Sequence, residues 1–72
     1  MQEFCVKTTA LHSDDAARVS RELRTIRGVA SVEVDLSSGW VVARGLGLSE
    51  SELLAGVRAA GLVVERVLHD PP

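Results

Sequence analysis

Apolar and polar positions alternate over several short stretches of the chain and recur at spacings of three and four over two longer ones. From Glu3 to Lys7, Phe4 and Val6 alternate with Glu3, Cys5 and Lys7, which predicts a first strand. Thr8 to Ser13 has no consistent apolar period and reads as a connecting loop. Ala16, Val19, Leu23 and Ile26 then follow at helical spacing. Ser13 is the predicted N-cap of this helix, and Asp14 and Asp15 put negative charge in its first turn, where the helix dipole favours it. Arg18, Arg21, Arg24 and Arg27 fall on other faces and read as a solvated surface. Gly28 stands where the helix needs a left-handed C′ residue.

Val32, Val34 and Leu36 alternate with Glu33 and Asp35, a strand with one buried face. Ser37, Ser38 and Gly39 make a short hairpin connection, and Trp40 opens a returning strand through Val41 and Ala43. Gly45 to Gly47 is a link. Leu48 to Leu53 carries a full helix-start signal: Ser49 and Glu52 as a capping box, Leu48 and Leu53 as a hydrophobic staple. Leu53, Leu54, Val57 and Ala60 form the buried stripe, and Gly61 is the C′ stop. Leu62 to Leu68 is a last strand, and His69 to Pro72 read as a frayed tail.

The order β-α-β-β-α-β predicts an α+β fold of the ferredoxin-like type: a four-stranded antiparallel sheet with both helices on one face. Residues 1–70 form one domain and 71–72 a tail. By strand parity, if Val41 and Ala43 are core, Trp40 and Val42 lie on the open sheet face beside Cys5.

Composition narrows the function classes. The chain has 72 residues, 46% of them apolar, with one Phe, one Trp and no Tyr, so its core is aliphatic. A net charge of −2 gives no electrostatic reason to expect nucleic acid. No apolar run approaches the roughly 20 residues of a membrane span, and no export signal is visible, so a cytoplasmic protein is expected. The single Cys5 rules out an internal disulfide. No nucleophile–base pair, carboxylate dyad or phosphate-binding glycine loop is present, so no enzyme activity is expected.

Val6, Val19, Leu23, Gly28-Val29, Val32-Glu33-Val34-Asp35 and Gly61 together resemble the heavy-metal-associated domains, which include small copper chaperones and modules of metal-pumping P-type ATPases. The resemblance spans nearly the whole chain. It implies a binding or carrier domain for a transition metal, and a metal-transporting ATPase or other protein as partner. In that family a Cys-x-x-Cys pair in the loop entering the first helix holds copper(I). Counted back from Val19, the two positions fall on His12 and Asp15, and the methionine that precedes the pair falls near Ala10. Soft thiolates select copper(I), and an imidazole with carboxylates does not replace them in kind.

His12 with Asp15, and Asp14 as a third candidate, would suit zinc, nickel, cobalt or copper(II). The plainer alternative is that the aspartates complement the dipole and His12 is an exposed loop residue. Cys5 reads as a small apolar filler, and His69 and Asp70 as tail residues. Trp40 and Val42 support a different function class: a metal-free interaction module, with a homodimer through the sheet face as one form. A small-ligand regulatory domain is a third reading, for which no specificity loop is recognisable. Fold alone does not choose among these.

Overall fold

The computed structural model describes residues 1–9 and 12–69, the side chain of residue 69 excepted. Its elements are β1 (Gln2–Thr9), α1 (Ser13–Arg24), β2 (Val29–Asp35), β3 (Trp40–Gly45), α2 (Glu50–Ala59) and β4 (Val63–His69). The strands form one antiparallel sheet in the order β2-β3-β1-β4. This is the expected ferredoxin-like βαββαβ arrangement. No described helix is long and apolar enough to cross a membrane.

Strand alternation sets the two layers. Phe4, Val6, Val32, Val41 and Ala43 turn one way and meet Val19 and Leu23 of α1 and Leu53, Val57 and Ala60 of α2. Leu23, Leu53, Val19, Val41 and Val57 are essentially inaccessible to water. Burying each contributes on the order of 1.5–3 kcal/mol. Gly56 lets the helices close up, since a Cβ there would lie 2.9 Å from the Leu23 side chain.

The α2 start forms with the N-cap half of the expected capping box and with both staple residues buried. Ser49 Oγ accepts the Glu52 N–H at 3.4 Å, and Leu48 and Leu53 are both buried. At the other end Gly61 has φ +87°, with its N–H on Arg58 O and the Leu62 N–H on Val57 O. That bond pair is a Schellman stop. The hairpin also forms as expected. Asp35 O accepts the Gly39 N–H at 2.8 Å, and the Asp35 carboxylate accepts the N–H and hydroxyl of Ser37.

Several boundaries differ from expectation. β1 runs on to Thr9, because both the N–H and the hydroxyl of Thr8 bond Gly39 O and let a polar residue enter the core. Leu36 is exposed rather than core; Asp35 ends β2, and Leu36 belongs to the turn. The N-cap of α1 is His12, and Ser13 is the first helical residue. The helix ends at Arg24 with Thr25 as C-cap, so Gly28 is not its C′ residue. Gly28 is required all the same. Its φ is +95°, and a Cβ there would sit 2.2 Å from Leu46 O. His69 is not in a tail: it is the last residue of β4 and pairs with Phe4. The readings placed on Ala10, Asp70 and the 71–72 tail lie outside the described residues.

Candidate metal site

β1 ends at Thr9, and His12 begins α1, with extended φ/ψ of −113° and 168°. Its carbonyl accepts the first helical hydrogen bond, from the Ala16 N–H at 3.0 Å. Asp15 sits at the third helical position and reaches back: its Oδ2 accepts the His12 N–H at 3.2 Å. This is the half of a capping box that satisfies the N-cap donor. The first turn thereby holds two of the sequence-predicted site residues together, the exposed His12 and a carboxylate anchored to His12's own backbone. Asp14, the third candidate, is exposed in the same turn.

Arg18 is exposed, as expected of a surface residue, and it also has two partners. Its guanidinium lies 3.7 Å from Asp15 Oδ1 and donates to Ala60 O at 3.3 Å. The second bond ties α1 to the C-terminal end of α2, where an unpaired carbonyl and the helix dipole both favour a cation. Arg18 therefore competes with any metal ion for Asp15. Helical periodicity places Arg18 off the apolar stripe but cannot show the end of a second helix arriving beside it.

Metal chemistry at this junction is restricted by its donors. Among the described residues no group of three or more His, Cys, Asp or Glu side chains is placed to hold an ion. Cys5, four residues before the end of β1, lies about 13 Å from Thr9 by strand rise. It pairs with Val42 and Leu68 in mid-sheet, on the open face as expected. The copper(I) thiolate chemistry of the resembled family therefore has no counterpart here. His12 and Asp15 offer one imidazole nitrogen and one carboxylate oxygen, a set suited to borderline divalent ions with the remaining positions open.

No protein-family profile matches the chain, and no curated protein matches it. Solved structures do. One is the CopZ metallochaperone, 22% identical, with TM-score 0.79 over 90% of this chain and 100% of that one. A copper-binding domain from HMA7, a P-type ATPase, is 20% identical, with TM-score 0.83 over 94% of this chain and 95% of that one. The N-terminal domain of ZntA in the apo form is 15% identical, with TM-score 0.79 over 97% and 93%. The chain thus has the fold of the heavy-metal-associated domains, the architecture that its sequence resembles.

Proposed function

We propose that this chain is a metal-binding or metal-carrier domain whose cargo, a borderline divalent ion such as zinc, nickel, cobalt or copper(II), is taken at the β1–α1 junction by His12 and Asp15. The observation that carries this reading is the pairing in the first turn. An exposed imidazole at the N-cap and the carboxylate hydrogen-bonded to its backbone stand at the two positions that the count back from Val19 gives to the thiols of the resembled family.

The proposed chemistry is ligand exchange. Two protein donors leave coordination positions to water or to a second protein, so incoming ligands bind before His12 and Asp15 release. A metal-transporting ATPase or another protein with its own donors fits that role. The Arg18 guanidinium beside Asp15 keeps the site weak, because cation repulsion must be overcome as the ion binds.

An amide NMR titration of the untagged chain with zinc, nickel, cobalt and copper(II) tests this. Saturable changes over residues 10–17 that vanish in His12→Ala are the expected result. Unchanged affinity in His12→Ala overturns the assignment, and changes confined to His69 and Asp70 mean adventitious binding at the C-terminus.

A second reading is a metal-free interaction module. The observation favouring it is the open sheet face, where Trp40 and Val42 are half-exposed and Leu68 is 47% exposed.

A further inference from the structure

The pairing registers arrange the open face in rows across the four strands. From β2 to β4 one row reads Asp35, Trp40, Lys7, Arg66. The next reads Glu33, Val42, Cys5, Leu68, and the third reads Ser31, Arg44, Glu3. Directly opposed residues share a face, so these side chains form one surface. Lys7 Nζ lies 5.9 Å from the centroid of the Trp40 ring, and Lys7, Trp40, Glu65 and Arg66 line a hollow of about 240 Å³. In the third row Arg44 joins Glu3 on one side and Glu33 on the other. The surface is acidic at its β2 margin, apolar in the middle and basic where Lys7 and Arg66 meet.

We propose that this face docks a second copy of the same chain, about a two-fold axis running along the strands between β1 and β3. The inference rests on the second reading above, that the open sheet is a contact surface. Such an axis reverses strand order between the facing sheets and keeps each row opposite itself. Asp35 then faces Arg66 of the second copy, Trp40 faces Lys7, Val42 faces Cys5, and Arg44 faces Glu3. Apart from Glu33, which meets Leu68, the surface is complementary to itself along this axis, repeating across the interface the cation–ring and Arg–Glu pairs that each chain already makes. An axis across the strands would pair Lys7 with Glu3 and Trp40 with Arg44, but it would set Glu33 against itself and Asp35 against Ser31 and leave Arg66 with no described counterpart.

Strands about 4.8 Å apart and rows about 6.8 Å apart give a patch of roughly 300–400 Å² per copy. A stable pair buries about 800 Å² per partner. The dimer is therefore weak and reversible, forming at high micromolar concentration and above.

Sedimentation equilibrium from about 10 µM to 1 mM at low salt, on the whole chain, tests the proposal, since opposed like charges are resolved best there. Asp35→Arg and Arg66→Asp alone each put like charges opposite one another and weaken association about tenfold or more. The double variant Asp35→Arg/Arg66→Asp restores it, and so does mixing the two single variants. If the parent associates and Trp40→Ala weakens it but the charge exchange restores nothing, the two-fold pairing is overturned while the contact-surface reading stands. A parent chain monomeric throughout overturns self-association, and the face is then left to a different partner. Arg66 is exposed, whereas Asp35→Arg also gives up the Ser37 bonds of the hairpin, so recovery in the double variant rather than loss in that single variant is decisive, with far-UV circular dichroism of each variant expected to show the parent's fold.

Discussion

The two helices begin with similar short motifs and use them differently. At α2 the motif is Ser49-Glu50-Ser51-Glu52, and the N-cap side chain does the capping, accepting the Glu52 N–H. Leu48 and Leu53 close over that turn, 9% and 1% exposed. At α1 the motif is His12-Ser13-Asp14-Asp15, and the bond runs backwards, from the His12 N–H to the Asp15 carboxylate. Histidine is not among the residues favoured at an N-cap. The α2 start is explained by folding, down to the identity of its serine. The α1 start is held by its aspartate, at an N-cap position where serine would be the more favoured residue.

The contrast can be broken most forcefully at α2. Leu53→Ala removes a fully buried side chain from the staple and is expected to cost about 2–5 kcal/mol in a urea titration. A smaller effect separates the two caps themselves. Ser49→Ala should lose about 1 kcal/mol, whereas His12→Ser should gain a few tenths, because serine is the better cap. If His12→Ser instead destabilises by as much as Ser49→Ala, the imidazole has a structural role after all and the separation fails.

The same contrast explains how far the sequence could be read. Element order, the hairpin, the α2 start and its glycine stop were legible, because each is a local pattern of period, cap or turn. Contacts that a distant group decides were not. Thr8 is core because Gly39 O, thirty-one residues away, satisfies its hydroxyl. Arg18 is tied down because α2 ends beside it. Arg44 has its two ion pairs because the register sets Glu3 and Glu33 on either side of it. At the candidate site, the positions of His12 and Asp15 came from the family resemblance. Their bond spans three residues and is local, as is the competing Arg18–Asp15 pair, whereas the Ala60 carbonyl that also holds Arg18 is not.

Arg18 offers a finer cut. Arg18→Ala frees Asp15 from its cation, so divalent-ion affinity at the α1 start should rise roughly two- to fivefold by calorimetric titration. The same change loses the hydrogen bond to Ala60 O and should cost about 0.5–1.5 kcal/mol of stability. Affinity and stability moving in opposite directions is the signature of a residue that holds the fold at the expense of the site. If both fall together, Arg18 merely shapes the first turn.

The smallest effect is expected at the second carboxylate that accepts a backbone N–H. Asp35 does in the hairpin what Asp15 does at α1, but with no imidazole beside it. The Ser37 hydroxyl, helped by the Ser37 N–H, holds its carboxyl below the usual 3.8. A carboxyl with a depressed folded-state pKa stabilises the protein above its unfolded-state value, and that contribution is lost as pH falls through the folded-state value. Wild type should therefore lose this increment only below about pH 4, while Asp35→Asn, with no charge to titrate, should lose nothing there. Urea midpoints from pH 5 to pH 2 are expected to converge for the two proteins as the medium becomes acidic. A constant gap across that range would mean the turn depends on the shape of the Asp35 side chain rather than on its charge. The comparison of the two carboxylates would then rest on geometry alone.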